Sequence, residues 1–175
     1  MIPVVTAVAV FALMGVEAAL SRSHERALRA AGAVEPADDV YPVMRVTYPA
    51  AFLLMCIEGL WRGAAGAPWL TAGLLVFLAG KTIKYSAMAS LGRLWSFRVL
   101  VVPGASLVRS GPYRFLRHPN YLGIMGELAG TAMIAASPVT GAAALVTFAW
   151  ILRKRIAVEE RMLSDMSVSR QLNVP

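Results

Sequence analysis

The side chains best suited to bind a charged ligand are concentrated in residues 110–123, which read SGPYRFLRHPNYLG. Two tyrosines, two arginines, a histidine and an asparagine stand there among prolines and glycines that break helices. Pro119 suits the first turn of a helix, because it lacks the N–H that a first turn leaves unpaired. The other unpaired N–H groups of such a turn favour a carboxylate or another anion. The segment therefore has the chemistry of a ligand site.

We predict that this segment forms one wall of a cofactor site at the edge of a membrane. Arg117 and His118 stand beside the expected helix start, where an anionic group would bind. Tyr113 and Tyr121 offer aromatic faces to a purine ring or a sulfonium cation. The alternative is an interfacial belt, in which tyrosine and arginine side chains anchor a helix among lipid headgroups. Composition alone leaves both interpretations open.

A second group of charged residues follows the last apolar segment. It comprises a basic cluster and an acidic pair: Arg153, Lys154, Arg155, Glu159 and Glu160. Arg155 and Glu159 share one helical face, because they are spaced i, i+4. Taken alone, the pattern is typical of a solvated helix with an ion pair, next to the basic residues that end a membrane span.

Acidic residues inside apolar runs form a third signal. Glu17, Glu58 and Glu127 lie in or near such runs. An unpaired aspartate there costs about 2.5–3.5 kcal/mol at the helix centre. Glu127 is expected to project inward, about one turn below the loop, and either to pair with Lys81 or Lys84 or to contact substrate. Glu58 lies near an expected helix end and is interpreted as structural.

Membrane helices must position these residues. The chain has 175 residues, of which 58% are hydrophobic and 15% charged, whereas soluble domains carry about a quarter charged residues. The apolar residues gather into runs long enough to span a bilayer. We predict an all-α integral membrane protein, with a single domain over 1–175 and about five transmembrane helices. The expected bounds of the spans are 2–20, 43–61, 69–91, 120–137 and 138–152.

The basic residues set the expected orientation of the chain. With the N-terminus outside, nearly every lysine and arginine falls on the cytoplasmic side, and only Arg62 lies outside. The polar segments 92–119 and 153–165, the latter in a cytoplasmic C-terminal helix, then lie on the same side and form the cofactor region together. We expect a bacterial inner membrane, with the site facing the cytoplasm.

Composition disfavours several other functions. The basic residues behind the net charge of +7 flank apolar segments, so we expect them to meet anionic lipid headgroups and not nucleic acid. The single cysteine, Cys56, excludes an intrachain disulfide and a thiolate metal cluster, and we expect no bound metal. No glycine-rich dinucleotide motif follows a strand. The sequence leaves the oligomeric state open, because no run of small residues is decisive.

The two motifs together resemble the isoprenylcysteine carboxyl methyltransferase family, which is related to the phospholipid methyltransferases. The resemblance runs from LGRLWSFRVLVVPGASLVRSGPYR through RHPNYLG to the late glutamate pair, and covers about 91–163. It implies a membrane-embedded methyltransferase that holds S-adenosylmethionine on the cytoplasmic side. The chain departs from the family after Leu163, where SDMSVSRQLNVP replaces the usual tail.

The resemblance, together with the chemistry of the loop, gives a set of expected site residues. The cofactor contacts are Tyr113, Arg117, His118, Pro119, Tyr121, Gly123, Glu159 and Glu160. By the family pattern, the two glutamates close over the cofactor, and Arg155 handles the acceptor group of the substrate. A hydroxyl acceptor also needs a base to take its proton, for which Glu127 and Glu159 are the candidates.

The expected acceptor is a lipophilic small molecule that enters from the bilayer. Methyl transfer is an in-line displacement at a sulfonium, so catalysis rests on positioning and electrostatics. A phenolic or pyrone hydroxyl is preferred, because bacterial membranes contain little prenylated protein; a carboxylate would need no base. The alternatives are isoprenylcysteine carboxyl methylation, an NADPH-dependent membrane reductase of the sterol-reductase type, and a small membrane scaffold without activity.

Overall fold

Five α-helices make up most of the chain in the computed structural model, which describes residues 1–63 and 65–172, and side chains as far as residue 165. The helices are α1 (Ile2–Ala30), α2 (Tyr41–Arg62), α3 (Ala67–Leu91), α4 (Pro119–Ile134) and α5 (Pro138–Leu172). Two short 3-10 turns, Gly92–Leu94 and Gly111–Arg114, lie in the connection between α3 and α4. The predicted all-α fold is confirmed.

Three helices, α1, α2 and α3, are long and apolar enough to cross a membrane by length and composition, among the residues that the structure describes. Large apolar side chains on their outer faces are exposed, for example Val8, Leu54 and Leu75. Such a surface is stable against lipid, whereas in water it would promote aggregation. The chain is therefore an integral membrane protein, as predicted.

The change from apolar to polar sequence does not end the helices. α1 runs to Ala30, whereas the expected span ended at residue 20. Residues 16–31 contain no glycine or proline, and the first break is Gly32, which has a positive φ of 79°. Arginine, glutamate and alanine sustain a helix as well as leucine does. For the same reason α5 continues without a break from the apolar residues 138–152 into the charged segment.

α4 ends at Ile134, earlier than the expected residue 137, because a Schellman cap stops it. The N–H of Ser137 donates to the carbonyl of Ala132 at 2.9 Å, and the N–H of Ala136 donates to that of Met133 at 3.3 Å. Ala136 takes a positive φ of 53°, a conformation that glycine usually supplies. The cap leads the chain directly into α5.

The first turn of α5 is capped from α2. The Glu58 carboxylate accepts hydrogen bonds from the N–H of Val139 at 3.2 Å and from the N–H and hydroxyl of Thr140 at 2.7 and 2.6 Å. The first N–H groups of a helix have no partner within the helix, so a carboxylate there satisfies them. Arg62 adds an ion pair to Glu58 at 2.7 Å. Glu58 therefore joins α2 to α5 at the end of the bundle that holds the α2–α3 turn.

α3 and α4 pack backbone against backbone through glycines. A Cβ added to Gly80 would lie 2.9 Å from the backbone nitrogen of Glu127, and one added to Gly130 would lie 2.5 Å from that of Phe77. Small residues permit this close approach, which is stabilised in a membrane by van der Waals contacts between the helices. The α3–α4 hairpin is therefore a rigid base for the connection between its two helices.

We expect the substitution Gly130→Val to destabilise the protein, because its side chain must push α3 and α4 apart. Overpacking of this kind costs about 1–3 kcal/mol or more, and should lower the unfolding temperature of the purified protein in detergent. Gly15→Val is the matched control, since nothing lies within 4 Å of a Cβ at that position of α1. An equal loss of stability in both variants would contradict the packing described.

Candidate functional site

A cavity of about 700 Å³ opens at the end of the bundle where the α3–α4 connection meets α5. Its volume lies within the range of about 300–1,000 Å³ that is typical of small-molecule sites. Seven residues predicted for the site line the cavity: Tyr113, Arg117, His118, Tyr121, Arg155, Glu159 and Glu160. The structure therefore brings the two sequence motifs together around one space.

Gly111 determines how closely the connection approaches α3. It takes a φ of 57° and begins the second 3-10 turn. A Cβ at this position would lie 2.1 Å from the Oγ atom of Ser90, so glycine satisfies both the conformation and the space. Pro119 then begins α4, with His118 at the N-cap position. The turn and the helix start together hold the loop at the rim of the cavity.

His118, at the end of the α3–α4 connection, and Tyr121, in the first turn of α4, both contact α5. The Nε2 atom of His118 lies 3.2 Å from Oε1 of Glu160. The Tyr121 hydroxyl donates to Oε2 of Glu159 at 2.6 Å. The two rings stack, with centroids 5.6 Å apart and planes inclined by 17°. Carboxylates next to aromatic faces form a surface suited to a cationic ligand group.

Arg155 is buried behind this surface, with 4% of the residue exposed. Its Nε donates to the Tyr121 hydroxyl at 2.9 Å and its Nη1 to Oδ1 of Asp39 at 3.0 Å. Its Nη2 donates to the backbone carbonyl of Phe97. The guanidinium that was predicted to handle an acceptor group thus has a protein partner at each of its nitrogens.

Sequence reasoning missed two of these partners, Asp39 and Phe97, because neither belongs to a motif. The available signal for Asp39 was an acidic residue directly before an apolar span, where a helix N-terminus favours a carboxylate; its Oδ1 accepts from the N–H of Tyr41 at 3.1 Å. His24, another residue outside the motifs, lies in α1. Its Nδ1 atom is 2.8 Å from the carbonyl oxygen of Trp95.

Local electrostatics move the pKa values of two groups near the cavity further from neutral pH. Burial, together with the negative charge of Glu159, raises the pKa of the Tyr113 phenol, so this hydroxyl remains a donor at neutral pH. Hydrogen bonds from Arg161 lower the pKa of Asp38, so this carboxylate remains ionised. Asp38 and Arg161 join the α1–α2 connection to α5 on the outer surface, at 2.7 Å.

Three predicted site residues, Pro119, Gly123 and Glu127, lie within the bundle and are not part of the cavity lining. Pro119 is buried at the start of α4. Gly123 packs against Lys84, whose Cβ would be 2.7 Å from an added Cβ. Gly123 and Glu127 are spaced i, i+4, so they share the face of α4 that is turned toward α3.

Glu127 belongs to a buried ionic cluster that joins helices. Lys81 Nζ lies 2.7 Å from Oε1 of Glu17 and 3.0 Å from Oε2 of Glu127. Lys84 Nζ lies 2.6 Å from Oε2 of Glu17 and 3.2 Å from Oε1 of Glu127. The Tyr48 hydroxyl donates to Glu127 at 2.9 Å. The two carboxylates and two ammonium groups balance, which burial requires. Of the roles considered for Glu127, the structure shows the ion pairs with both lysines.

Comparisons with known proteins agree with the sequence motifs. Residues 72–165 match the model of the isoprenylcysteine carboxyl methyltransferase (ICMT) family. YpbQ, an uncharacterized protein of Bacillus subtilis, is 31% identical over 87% of this chain and 90% of its own length. Protein-S-isoprenylcysteine O-methyltransferase A of Arabidopsis thaliana is 29% identical over 67% of this chain and 64% of its own length. No solved structure matches the chain significantly.

A further relative is the protein-S-isoprenylcysteine O-methyltransferase of Saccharomyces cerevisiae, which is 33% identical over 53% of this chain and 40% of its own length. The chain combines a helical membrane fold with a cavity at one end that both sequence motifs line. The matched region covers more than half of the sequence and contains both motifs. The chain therefore belongs to the isoprenylcysteine carboxyl methyltransferase family, and is a membrane methyltransferase of the S-adenosylmethionine-dependent class.

We expect the substitution Glu127→Leu to destabilise the protein strongly, because it leaves an excess positive charge inside the bundle. Breaking a buried ion pair in this way costs about 3–5 kcal/mol. The double variant Glu127→Leu/Lys81→Leu restores neutrality and should recover part of the loss, as measured by unfolding in mixed micelles. A Glu127→Leu protein that lost activity but kept the stability of the parent would contradict this role.

Proposed function

We propose that this protein binds S-adenosylmethionine in the cavity and methylates a hydroxyl group of a lipophilic small molecule. The strongest support for the proposal is that the RHPNY loop, residues 117–121 at the start of α4, meets Glu159 and Glu160 around one cavity. Both motifs come from the region that matches the methyltransferase family. The lining residues provide contacts for each charged part of the cofactor.

The charges of the cavity fit the charges of S-adenosylmethionine, which has cationic sulfonium and ammonium groups, a carboxylate and a flat purine. Glu159 and Glu160 have side chains that are 33% and 50% exposed, and they are suited to the cationic groups. The rings of His118 and Tyr121 offer flat surfaces to the purine or the sulfonium. Arg117, with 89% of its side chain exposed, and the start of α4 suit the carboxylate.

The same cavity fits NADPH less well. The pyrophosphate and 2′-phosphate of that cofactor need several cations that are free to pair with them. Two of the four arginines that line the cavity are already paired, Arg98 with Glu35 at 2.5 Å and Arg155 with Asp39 at 3.0 Å. The glutamate pair of α5 adds negative charge to the lining. These contacts favour S-adenosylmethionine over the reductase alternative.

When bound, the cofactor would supply a methyl group, to which an acceptor oxygen would bond in line as the carbon–sulfur bond breaks and S-adenosylhomocysteine leaves. The protein contributes position and electrostatics. Arg155 and Glu159 both bond to the Tyr121 hydroxyl, so the wall of the cavity keeps one arrangement. A hydroxyl acceptor must lose its proton, and we assign the Glu159 carboxylate as the group that takes it. Glu127 lies in the ionic cluster and is left out of this step.

An apolar acceptor with a hydroxyl suits the site better than a carboxylate that Arg155 would orient, because the protein already engages each nitrogen of this guanidinium. Leu107 and Leu116 line the cavity and are 60% and 40% exposed, so an apolar tail would find contacts there. The second candidate reaction is carboxyl methylation of an isoprenylcysteine, which the names of two relatives favour.

We place the site on the cytoplasmic side of a bacterial inner membrane, with the acceptor arriving through the bilayer. The support is the positive-inside pattern, together with contacts at the cavity end that join the polar end of α1, the α1–α2 connection, the α3–α4 connection and α5. His24 contacts Trp95, Asp39 contacts Arg155, and His118 contacts Glu160.

We expect the purified protein to bind S-adenosylhomocysteine, the product form of the cofactor, and not NADPH, as measured by isothermal titration calorimetry. Glu160→Gln should weaken this binding about tenfold or more, because a charge-assisted hydrogen bond contributes about 1.5–3 kcal/mol. Asp38→Asn is the control, since its carboxylate lies on the surface outside the cavity lining. Binding of NADPH alone would refute the proposal.

The acceptor class is tested by methyl transfer from labelled cofactor to a total membrane lipid extract and, separately, to a farnesylcysteine analogue. A phenolic hydroxyl gives an aryl methyl ether, which withstands mild alkali, whereas a carboxylate gives an ester that releases labelled methanol. We expect the label in an alkali-stable lipid product. Alkali-labile label on the farnesylcysteine analogue alone would support the second candidate instead.

A further inference from the structure

Asp39 is held at the junction of three parts of the chain. Its side chain is 4% exposed. Oδ1 accepts hydrogen bonds from the N–H of Tyr41, at the start of α2, and from Nη1 of Arg155 in α5, at 3.1 and 3.0 Å. Oδ2 accepts from the N–H of Val99 in the α3–α4 connection at 3.0 Å. Two backbone groups therefore fix the carboxylate, and the guanidinium must adjust to it.

Asp39 is also the one described carboxylate that lies within ion-pair distance of Arg155. Glu159 stands four residues later on the same helix, at the spacing at which arginine and glutamate pair directly. In the structure the Tyr121 hydroxyl lies between them instead, accepting from Arg155 and donating to Glu159. In the structure, therefore, Arg155 is paired with Asp39 and not directly with Glu159.

We propose that Asp39 is a positioning residue for methyl transfer, which acts through Arg155 to keep the Glu159 carboxylate free of an ion pair with that arginine and directed toward the cavity. This inference rests on the proposed function, in which Glu159 binds the cofactor. Without the Asp39 charge, Arg155 turns to Glu159 and pairs with it. The carboxylate then loses its attraction for the cationic groups of the cofactor, and the Tyr121 hydroxyl loses its donor.

The adjacent residue provides a matched control. Asp38 also pairs with an arginine of α5, Arg161, at 2.7 Å, but both side chains are more than half exposed. Exposed pairs of this kind contribute little to stability. Asp38→Asn and Asp39→Asn therefore remove the same charge from neighbouring positions of one connection, and differ in whether the removed carboxylate is bonded to Arg155.

The test uses the full chain in detergent or nanodiscs and measures S-adenosylhomocysteine affinity by calorimetry. We expect Asp39→Asn to weaken binding about tenfold or more, as the loss of a charged contact does, and Asp38→Asn to leave it unchanged. In a Glu159→Gln background, Asp39→Asn should have almost no further effect on affinity, because both changes abolish the same attraction between Glu159 and the ligand. Equal effects of Asp39→Asn in both backgrounds, or none in either, would overturn the inference.

A second readout does not depend on ligand binding. The Nε–H resonance of Arg155, identified in a ¹⁵N-arginine spectrum by its loss in Arg155→Lys, should shift in Asp39→Asn and stay in place in Asp38→Asn. An unchanged resonance in Asp39→Asn would overturn the inference even if the parent protein bound no cofactor. Failure of the parent to bind S-adenosylhomocysteine refutes the proposed function separately. Asp39→Ser, which also removes the charge, replaces Asp39→Asn if that variant does not fold, and the same shift is expected.

Discussion

A buried guanidinium organises the functional end of this molecule. Moving a cation out of water costs several kcal/mol even after the protein relaxes, so Arg155 requires a counter-charge and hydrogen-bond acceptors. They come from three distant parts of the chain: the Asp39 carboxylate before α2, the Phe97 carbonyl in the α3–α4 connection, and the Tyr121 hydroxyl in α4. Each of these contacts holds a different segment of the chain against α5. The counter-charge and the hydrogen-bond acceptors that Arg155 requires therefore determine where the segments around the cavity lie.

Deeper in the bundle, a separate set of balanced charges stabilises the helices. Glu17 and Glu127 neutralise Lys81 and Lys84 inside the bundle, while glycines let α3 and α4 touch. Because these groups pair with one another, we leave them out of the proposed methyl transfer. The glutamates at the cavity differ in this respect, since they are partly exposed and lie beside aromatic faces. In the function that we propose, helix packing and ligand binding thus depend on different acidic residues.

The sequence predicts the helical membrane fold and the meeting of the RHPNY loop with the late glutamates, because both depend on local composition and a recognisable motif. It does not predict Asp39 as the partner of Arg155, since the pairing joins residues far apart in sequence and one of them lies in a short connection without periodicity. The extent of α1 was also missed. Polar residues after Leu20 mark a change of environment, but nothing in residues 16–31 breaks a helix. The role of Glu127 remained open in the sequence, because its spacing fits either an ion pair with Lys81 or Lys84 or a contact with substrate. The packing of α3 against α4 brings it to both lysines.

The position of S-adenosylhomocysteine in an experimental structure of the complex tests the site most directly. We predict that the ligand lies between the RHPNY loop and α5, with its ammonium group at Glu159 or Glu160 and its purine against the rings of His118 and Tyr121. Arg155 should still be bonded to Asp39 in the complex. A ligand bound at the opposite end of the bundle, near Glu58, or between α1 and α2 away from α5, would contradict this assignment.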